Sequence, residues 1–397
     1  MTVSCPLSTI GLSVAQPRNG RDFISAREDS HMSLRKPPLR DVHEERGAEF
    51  TDFGGWDMPV EFDGIQIEHD AVREAVGIFD VSHMSEIEVT GPDATGLMER
   101  LVCGNVGAMD VGDAKYTAIL TEDGHIIDDT IVNRQPDADG DPRFVFVPNA
   151  GNDELMYERW VDHRDEWGLD ATVENRTDDF AMFAIQGPDA EDLVDSVTDE
   201  PVADLGFFEA RYAEIAGVEA WVSRTGYTGE DGFETMVPWD EAETVWEEFD
   251  CQPCGLGCRD TLRLEAGLLL AGNDFDVEEN PRTPFEAGIS FAVDLDTEFI
   301  GRDALAKQDE EGLEEQIVGL KLTERGIPRH GYDIANTDDE VIGEVSSGTM
   351  SPTFDEPIGM GYVPVEYADP GTEVQVVIRG RNKMARIETL PFLGENE

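Results

Sequence analysis

The stretch EIEVTGPDATGLM, residues 86–98, decides the fold class. Ile87 and Val89 alternate with Glu86 and Glu88, which is the period of a strand with one buried face. A GPDA turn follows, and after it the apolar residues recur at helical spacing. The stretch therefore predicts a strand, a tight turn and a helix.

The same order occurs again in FAMFAIQGPDAEDLV, residues 180–194. A strand pattern again meets a GPDA turn and then a helix pattern. Two such units in one chain predict two related α+β subdomains.

Helical patterns flank these units. One begins near Asp63, and Gly77 is expected to end it in the C′ position that favours glycine. Another covers residues 153–167, with Trp160 on its apolar face. Beyond about residue 312, EEQIVGLKL, GEVSSG, GMGYVPV and EVQVVIRG are short strand patterns broken by Gly and Pro, which predicts a small separate β-barrel.

The charge of the chain is extreme. Its 397 residues, enough for about two to four domains, carry 87 acidic and 29 basic side chains, a net charge of −58. Self-repulsion of that size is screened at molar salt, where the Debye length is about 3 Å. The composition indicates an intracellular protein of an extreme halophile, and it argues against nucleic acid as a partner.

No apolar run approaches the roughly 20 residues of a membrane helix, so no membrane partner is expected. The N-terminus lacks the basic region of a secretory signal, and the cytoplasm is the expected location. Residues 1–31 show no sustained periodicity. They are predicted to be a disordered tail, or to precede a true start at Met32.

Three of the five cysteines cluster in CQPCGLGC, as Cys251, Cys254 and Cys258. A CxxC followed by a third Cys could bind zinc or an iron–sulfur cluster, and buried thiols are the alternative. Because no fourth ligand stands at metal spacing, we expect buried thiols and no metal site.

The loop RTGYTGEDGFE, residues 224–234, is rich in glycine but also acidic, which argues against phosphate. Tyr227 offers a ring face, and the Glu234 carboxylate can accept two N–H bonds from an amino-amidine edge such as that of a pterin or guanine. The alternative is a plain hairpin turn with solvated charges.

A hairpin pattern, residues 115–120 and 126–132, contains the adjacent acids Asp128 and Asp129. Neighbouring residues of a strand face opposite ways, so one carboxylate can enter a cleft and act as a base or stabilise a cation. The alternative is a pair of hydrated surface aspartates.

Six segments of the chain occur in the order and spacing of a known family. They are FGGWDMPVEF (53–62), AVREAVGIFDVSHMSEIEVTGPDA (71–94), IIDDTIV (126–132), SRTGYTGEDGFE (223–234), CGLGCRDTLRLEAGLLLAGNDFD (254–276) and SSGTMSPTF (346–354). From about residue 34 to residue 392, the chain resembles the aminomethyltransferases of the glycine cleavage system, the T proteins.

The resemblance implies an α+β fold arranged as a three-domain cloverleaf with a folate cavity at its centre. Residues 32–311 would form two interleaved α+β domains, approximately 32–80 with 165–250 and 81–164 with 251–311, and residues 312–397 a C-terminal β-barrel.

The resemblance also implies the reaction. The lipoyl arm of an H protein presents an aminomethyl group, tetrahydrofolate takes the one-carbon unit, and ammonia leaves. Asp129 would lie beside folate N5, where it would position or deprotonate that nitrogen and stabilise the iminium-like cation. By the same resemblance, the remaining matched positions would be folate contacts: Tyr227, Glu234, Arg259, Tyr116, Met84 and Asn149.

Two further residues have competing interpretations. The Arg259 guanidinium suits the anionic glutamate tail of folate, although an ion pair with Asp260 or Glu265 is the alternative. His83 is expected to be a satisfied structural histidine rather than a base.

The chain departs from the family pattern at His125, Asn133, Phe207 and Phe291. These departures keep open a paralogous folate-dependent demethylase that acts on a small methylated amine or sulfonium donor. A non-catalytic folate-binding protein of iron–sulfur assembly is disfavoured, because the loop lacks that relative's Lys-Gly-Cys motif.

Overall fold

The computed structural model describes residues 33–394, and the prediction for residues 1–31 lies outside them. Helices and strands form a mixed α+β fold that ends in a closed barrel, which confirms the predicted fold class. The helices are α1 (Arg40–Glu45), α2 (Ile65–Glu74), α3 (Ala94–Leu101), α4 (Asp153–Trp167), α5 (Ala190–Val197), α6 (Ala242–Trp246), α7 (Leu256–Glu265) and α8 (Arg302–Glu311). Short 3-10 helices lie at Trp239–Glu241, Ser290–Ala292 and Val365–Tyr367.

One sheet has six strands, and only its last pair is parallel. In spatial order its strands are β10 (Ala210–Ile215), β11 (Val218–Ser223), β12 (Gly232–Pro238), β9 (Phe180–Gln186), β3 (Gly77–Asp80) and β13 (Gln252–Cys254). We call it the first sheet. A two-stranded ribbon, β1 (Glu49–Phe53) with β2 (Trp56–Glu61), precedes it in the chain.

The second sheet has five antiparallel strands. In spatial order they are β5 (Ala114–Leu120), β6 (Ile126–Ala138), β7 (Asp141–Val147), β4 (Ile87–Thr90) and β8 (Thr172–Asn175). All five lie between β3 and β9 in the chain, so the second sheet is inserted into the first. This topology fits two interleaved domains, whose boundaries stay a prediction.

The two GPDA turns have the same backbone geometry. Gly91 and Gly187 have φ angles of 118° and 134°, in the region that favours glycine. A Cβ would lie 2.9 Å from the carbonyl oxygen of Asp170 at the first glycine and 2.4 Å from that of Ala75 at the second. The sequence repeat thus corresponds to two equivalent strand–turn–helix units, β4–α3 and β9–α5.

Each sheet packs its apolar face against its own helices. In the first sheet, Phe183 lies edge-on to Trp246 of α6, with ring centroids 5.3 Å apart. In the second, Phe146 stacks on Trp160 of α4 at 4.2 Å. Trp160 is fully buried, as its helical position predicts.

The C-terminal strands close into an antiparallel barrel. Around it run β14 (Glu315–Leu322), β17 (Glu356–Pro364), β16 (Val341–Ser351), β15 (Tyr332–Ala335), β18 (Glu373–Ile378) and β19 (Arg381–Glu388). Val374 and Val376 are fully buried inside it. The predicted barrel is confirmed.

The expected role of Gly77 is wrong. Helix α2 ends at Glu74, and Gly77 is the first residue of β3, without a positive φ angle. A Cβ there would lie 2.6 Å from Cys254 Sγ on β13. Glycine is required by the close approach of two strands rather than by a helix end.

Candidate active site

Strand β6 places the two adjacent carboxylates on opposite faces. Asp128 is fully buried, whereas Asp129 is half-buried. Burial, and then the neighbouring charge of Asp129, raises the pKa of Asp128 to about 7. Burial also raises the pKa of Asp129. The alternative of two hydrated surface aspartates is wrong, because Asp128 is fully buried; a cleft at Asp129 stays a prediction.

Asp129 is held at both oxygens. Tyr116, on the neighbouring strand β5, donates its hydroxyl to Asp129 Oδ2 at 2.7 Å, and Asn149 Nδ2 donates to Asp129 Oδ1 at 2.7 Å. Both bonds favour the ionised carboxylate and partly offset the effect of burial on its pKa. Burial, followed by the charge of Asp129, raises the pKa of Tyr116 well above its ordinary value, so its phenol remains a donor.

The acidic loop between β11 and β12 uses two of its acids in ion pairs. Glu230 Oε1 lies 2.8 Å from the Arg73 guanidinium of α2, and Asp231 Oδ1 accepts a bond of 3.0 Å from Arg224 Nε. The first contact ties the loop to α2, and the second joins two residues of the loop itself. Glu234, the third acid, is left on strand β12 beside the site.

Glu234 is half-buried and accepts a 2.6 Å hydrogen bond at Oε2 from Thr225 Oγ1. Burial raises its pKa, while the Thr225 bond and the positive charge of Arg259 lower it. The carboxylate is therefore oriented by a neighbour in its own loop and lies within the field of a cation.

Tyr227 and Arg259 form a stacked pair. The guanidinium carbon of Arg259, on α7, lies 4.4 Å from the centroid of the Tyr227 ring. The Tyr227 hydroxyl donates to the carbonyl oxygen of Leu269, so the side chain has one contact on its ring face and one at its hydroxyl. Burial raises the pKa of Tyr227.

Arg259 makes no ion pair and no side-chain hydrogen bond with any residue in the range 33–394. Neither Asp260 nor Glu265 is its partner: Asp260 pairs with Arg263, and Glu265 with His69 and Arg73. Burial lowers its pKa. A desolvated guanidinium without a protein anion is suited to bind an anionic ligand.

His83 lies close enough to Arg259 for the two to interact electrostatically. It is fully buried, and neither ring nitrogen has a hydrogen-bond partner within the described chain. Burial, then the charge of Arg259, lowers its pKa to about 3. His83 is therefore not satisfied by protein atoms of the described chain, which differs from the expectation, while its expected structural rather than catalytic role stays a prediction.

The predicted site residues come together from distant parts of the chain. Hydrogen bonds join Asp129 to Tyr116 and Asn149, and the negative charge of Asp129 acts on Tyr227. Tyr227 comes from the loop between β11 and β12, Glu234 from β12, and Arg259 from α7.

Met84 is partly buried and packs against the apolar cluster that contains Val145, Val147 and Met182. Its neighbour Ser85 donates from its backbone nitrogen to the Pro148 carbonyl oxygen at 3.1 Å. This bond places Met84 next to the segment that carries Asn149.

The sequence did not reveal a buried network behind the site. Arg263 Nη1 lies 2.7 Å from Asp274 Oδ2, and Arg263 Nη2 donates to Ser347 Oγ of the barrel at 2.8 Å. Asp274 Oδ2 also accepts from the backbone nitrogen of Leu270, next to the carbonyl that holds Tyr227. No local pattern marks these residues, because their partners are up to 84 positions apart.

The departures from the family pattern have different consequences. Asn133 is buried and accepts 3.1 Å bonds at Oδ1 from Trp221 Nε1 and Ser223 Oγ, so it joins the two sheets. Phe291 is 76 % exposed and stacks on Tyr116 at 5.9 Å. Phe207 is 68 % exposed. The two phenylalanines therefore leave apolar surface open, one of them beside Tyr116.

Cys254 and Cys258 are buried and Cys251 is half-buried. No cluster of three or more His, Cys, Asp or Glu side chains with metal-binding geometry occurs in residues 33–394. In the same range, no helix combines the length and apolar character that crossing a membrane requires.

Comparisons with known proteins identify the same protein family over almost the whole chain. Residues 39–297 match the GCVT N-terminal domain, and residues 315–393 match the glycine cleavage T-protein C-terminal barrel domain. A probable aminomethyltransferase of Natronomonas pharaonis is 60% identical over 91% of this chain and 99% of its own. An aminomethyltransferase of Rubrobacter xylanophilus is 44% identical over 91% of this chain and 94% of its own.

Among solved structures, the glycine cleavage system aminomethyltransferase T of Bartonella henselae superposes with a TM-score of 0.83. It is 34% identical and covers 91% of this chain and 98% of its own.

Proposed function

This chain belongs to the glycine cleavage T-protein family and is an aminomethyltransferase, and we propose that it moves a methylene carbon from the aminomethyl-lipoyl arm of an H protein to tetrahydrofolate, with release of ammonia. One observation carries the proposal. A half-buried carboxylate, Asp129, is held by Tyr116 and Asn149 on one side of a group whose other members are Tyr227, Glu234 and Arg259.

The residues present fit a pterin with an anionic tail. Glu234 is oriented by Thr225, and its carboxylate can accept from the amino-amidine edge of the pterin. Within residues 33–394 Arg259 pairs with no acidic side chain, so its guanidinium can pair with a tail carboxylate. When bound, tetrahydrofolate supplies the nucleophilic nitrogen that accepts the carbon.

Asp129 has the chemistry for the transfer itself. Its ionised carboxylate can hold the proton of the attacking nitrogen and offset positive charge that develops on the transferred carbon. Tyr116 and Asn149 fix both oxygens before substrate arrives, so little reorganisation is needed.

The proposal includes a cytoplasmic location in a salt-rich cell, where a net charge of −58 is screened. Contact with the H protein would then depend on hydrophobic burial and a few close ion pairs.

The test is a methylene-transfer assay in about 3 M KCl, which screens surface charge, with tetrahydrofolate and aminomethyl-loaded H protein. Wild type should form methylenetetrahydrofolate and ammonia, and Asp129→Asn should lose about 100-fold or more in kcat. Asp137→Asn is the matched control, because Asp137 lies on the same strand but is exposed.

Folate binding without turnover would reject the lipoyl donor. The exposed Phe291 beside Tyr116 would then favour the second candidate, a demethylase for a small methylated amine or sulfonium compound.

A further inference from the structure

Asp128 is the most fully bonded side chain beside the proposed catalytic carboxylate. Its Oδ1 accepts from Asn149 Nδ2 at 2.6 Å and from the backbone nitrogen of Asp129 at 3.0 Å. Its Oδ2 accepts from the backbone nitrogen of Asn149 and from Asn152 Nδ2, both at 3.1 Å. All four donors come from β6 itself or from the segment that follows β7, so Asp128 ties that segment to the strand.

Asn149 is shared between the two acids. Its Nδ2 has only two protons, and it lies 2.6 Å from Asp128 Oδ1 and 2.7 Å from Asp129 Oδ1. Both N–H groups are therefore directed at acceptors on β6, which also include the backbone oxygen of Asp129 at 3.2 Å. This leaves the side-chain oxygen of Asn149 as the atom that can contact a ligand.

We propose that Asp128 is a positioning residue for the transfer: through Asn149 it fixes the carboxylate of Asp129 and turns the Asn149 side-chain oxygen towards the pterin. This inference rests on the proposed function, which it deepens by giving a role to the first acid of the pair. Asp128 does not touch substrate, since it is fully buried on the opposite face of β6.

The pair also has an electrostatic consequence. The titrations of two adjacent buried carboxylates are coupled, because the negative charge of the one that ionises disfavours ionisation of the other. Burial and the charge of Asp129 raise the pKa of Asp128 to about 7. The other titratable groups that face the pair are Tyr116 on β5, Tyr227 on the glycine-rich loop and Asp274 after α7.

Asp128→Asn is the decisive variant. Whichever way the new amide is turned, its NH2 group faces N–H donors that the carboxylate accepted, so Asn149 is displaced. We expect kcat to fall about 10- to 100-fold, as for a sub-ångström misplacement of a reacting group, and the KM for tetrahydrofolate to rise several-fold.

The pH profile separates this role from simple loss of folding. Displacement of Asn149 removes a hydrogen bond that lowers the pKa of Asp129, so the acidic limb of kcat/KM should move to higher pH. A double variant with Asn149→Ala should lose little more than Asn149→Ala alone, because both changes break the same connection. Asp137→Asn makes the same change of charge on the surface of β6, and it should change neither kcat/KM nor the position of its acidic limb.

Three results would overturn the inference. The first is an Asp128→Asn variant whose kcat, KM and pH profile equal those of wild type. The second is a loss of activity that is accompanied by a lowered Tm while the acidic limb of the pH profile stays in place. The third is a double variant whose loss of activity equals the sum of the losses in Asp128→Asn and Asn149→Ala. If wild type shows no methylene transfer, the proposed function fails separately. Fluorescence titration of tetrahydrofolate binding against pH then decides: a profile that differs between wild type and Asp128→Asn supports the role of Asp128, and identical profiles reject it.

Discussion

The hydroxyl of Tyr116 donates to Asp129 Oδ2 across neighbouring strands at 2.7 Å, which ties the site's phenol to its carboxylate. Because a bond to an ionised acceptor contributes about 1.5–3 kcal/mol, Tyr116→Phe should lower kcat/KM about 10- to 100-fold.

The same variant should change the pH dependence. The Tyr116 bond lowers the pKa of Asp129, so its loss raises that pKa further. The ionised form is the active one, and the acidic limb of the rate profile should therefore move to higher pH. A Tyr116→Phe profile that coincides with wild type would show that the hydroxyl does not act on Asp129.

Arg259 and Arg263 lie one turn apart on α7 and should respond in opposite ways to the same substitution. Arg259 has no anionic partner in residues 33–394, so Arg259→Gln should leave the free energy of unfolding within about 1 kcal/mol and raise the Kd for tetrahydrofolate about 10- to 100-fold.

Arg263 is fully buried against Asp274, so Arg263→Gln should cost about 3–5 kcal/mol of stability by leaving that carboxylate unpaired. Denaturant unfolding and ligand titration of the two variants check the contrast. Equal losses of stability would contradict it.

Glu265 should contribute to stability in a pH-dependent way. Although burial opposes ionisation, hydrogen bonds from His69 and Ser351 hold its pKa at about 2, below the ordinary value of 4.5. The contribution, about 3 kcal/mol, is complete above about pH 4.5 and is lost as the pH falls towards 2.

Glu265→Gln should therefore be clearly less stable than wild type at pH 7, and the difference should shrink near pH 3. Unfolding curves at both pH values test this. Glu278→Gln, an exposed control, should match wild type throughout.

His83 should make the protein sensitive to mild acid. Its folded pKa of about 3 is depressed from 6.5, so below pH 6.5 the unfolded chain binds a proton that the folded protein does not. Stability should fall by about 2 kcal/mol between pH 6.5 and pH 5 from this residue alone.

His83→Leu, which needs no hydrogen-bond partner, should remove that share of the acid sensitivity. Chemical unfolding at pH 7.5 and pH 5 measures it. An equal fall in the free energy of unfolding of wild type and His83→Leu between the two pH values would show that His83 is not the source of the acid sensitivity.

Much of the fold follows from local patterns. Residues 153–167 form a helix with the predicted bounds, and the two GPDA units repeat in the structure because the same turn needs the same glycine. The barrel follows from evenly spaced short strands. The predicted role of Gly77 is wrong because glycine is favoured both after a helix, where φ is positive, and at a close contact between elements, where a Cβ does not fit.

The sequence by itself determined the fold class, the order of the motifs and the types of side chain at the site, since these depend on residues near one another in the chain. Only the tertiary structure decided which arginine of α7 has an acidic partner within residues 33–394 and that Asp128 is buried beneath Asn149. Those outcomes depend on contacts between segments 11 to 84 positions apart, and no local periodicity records which partners will meet.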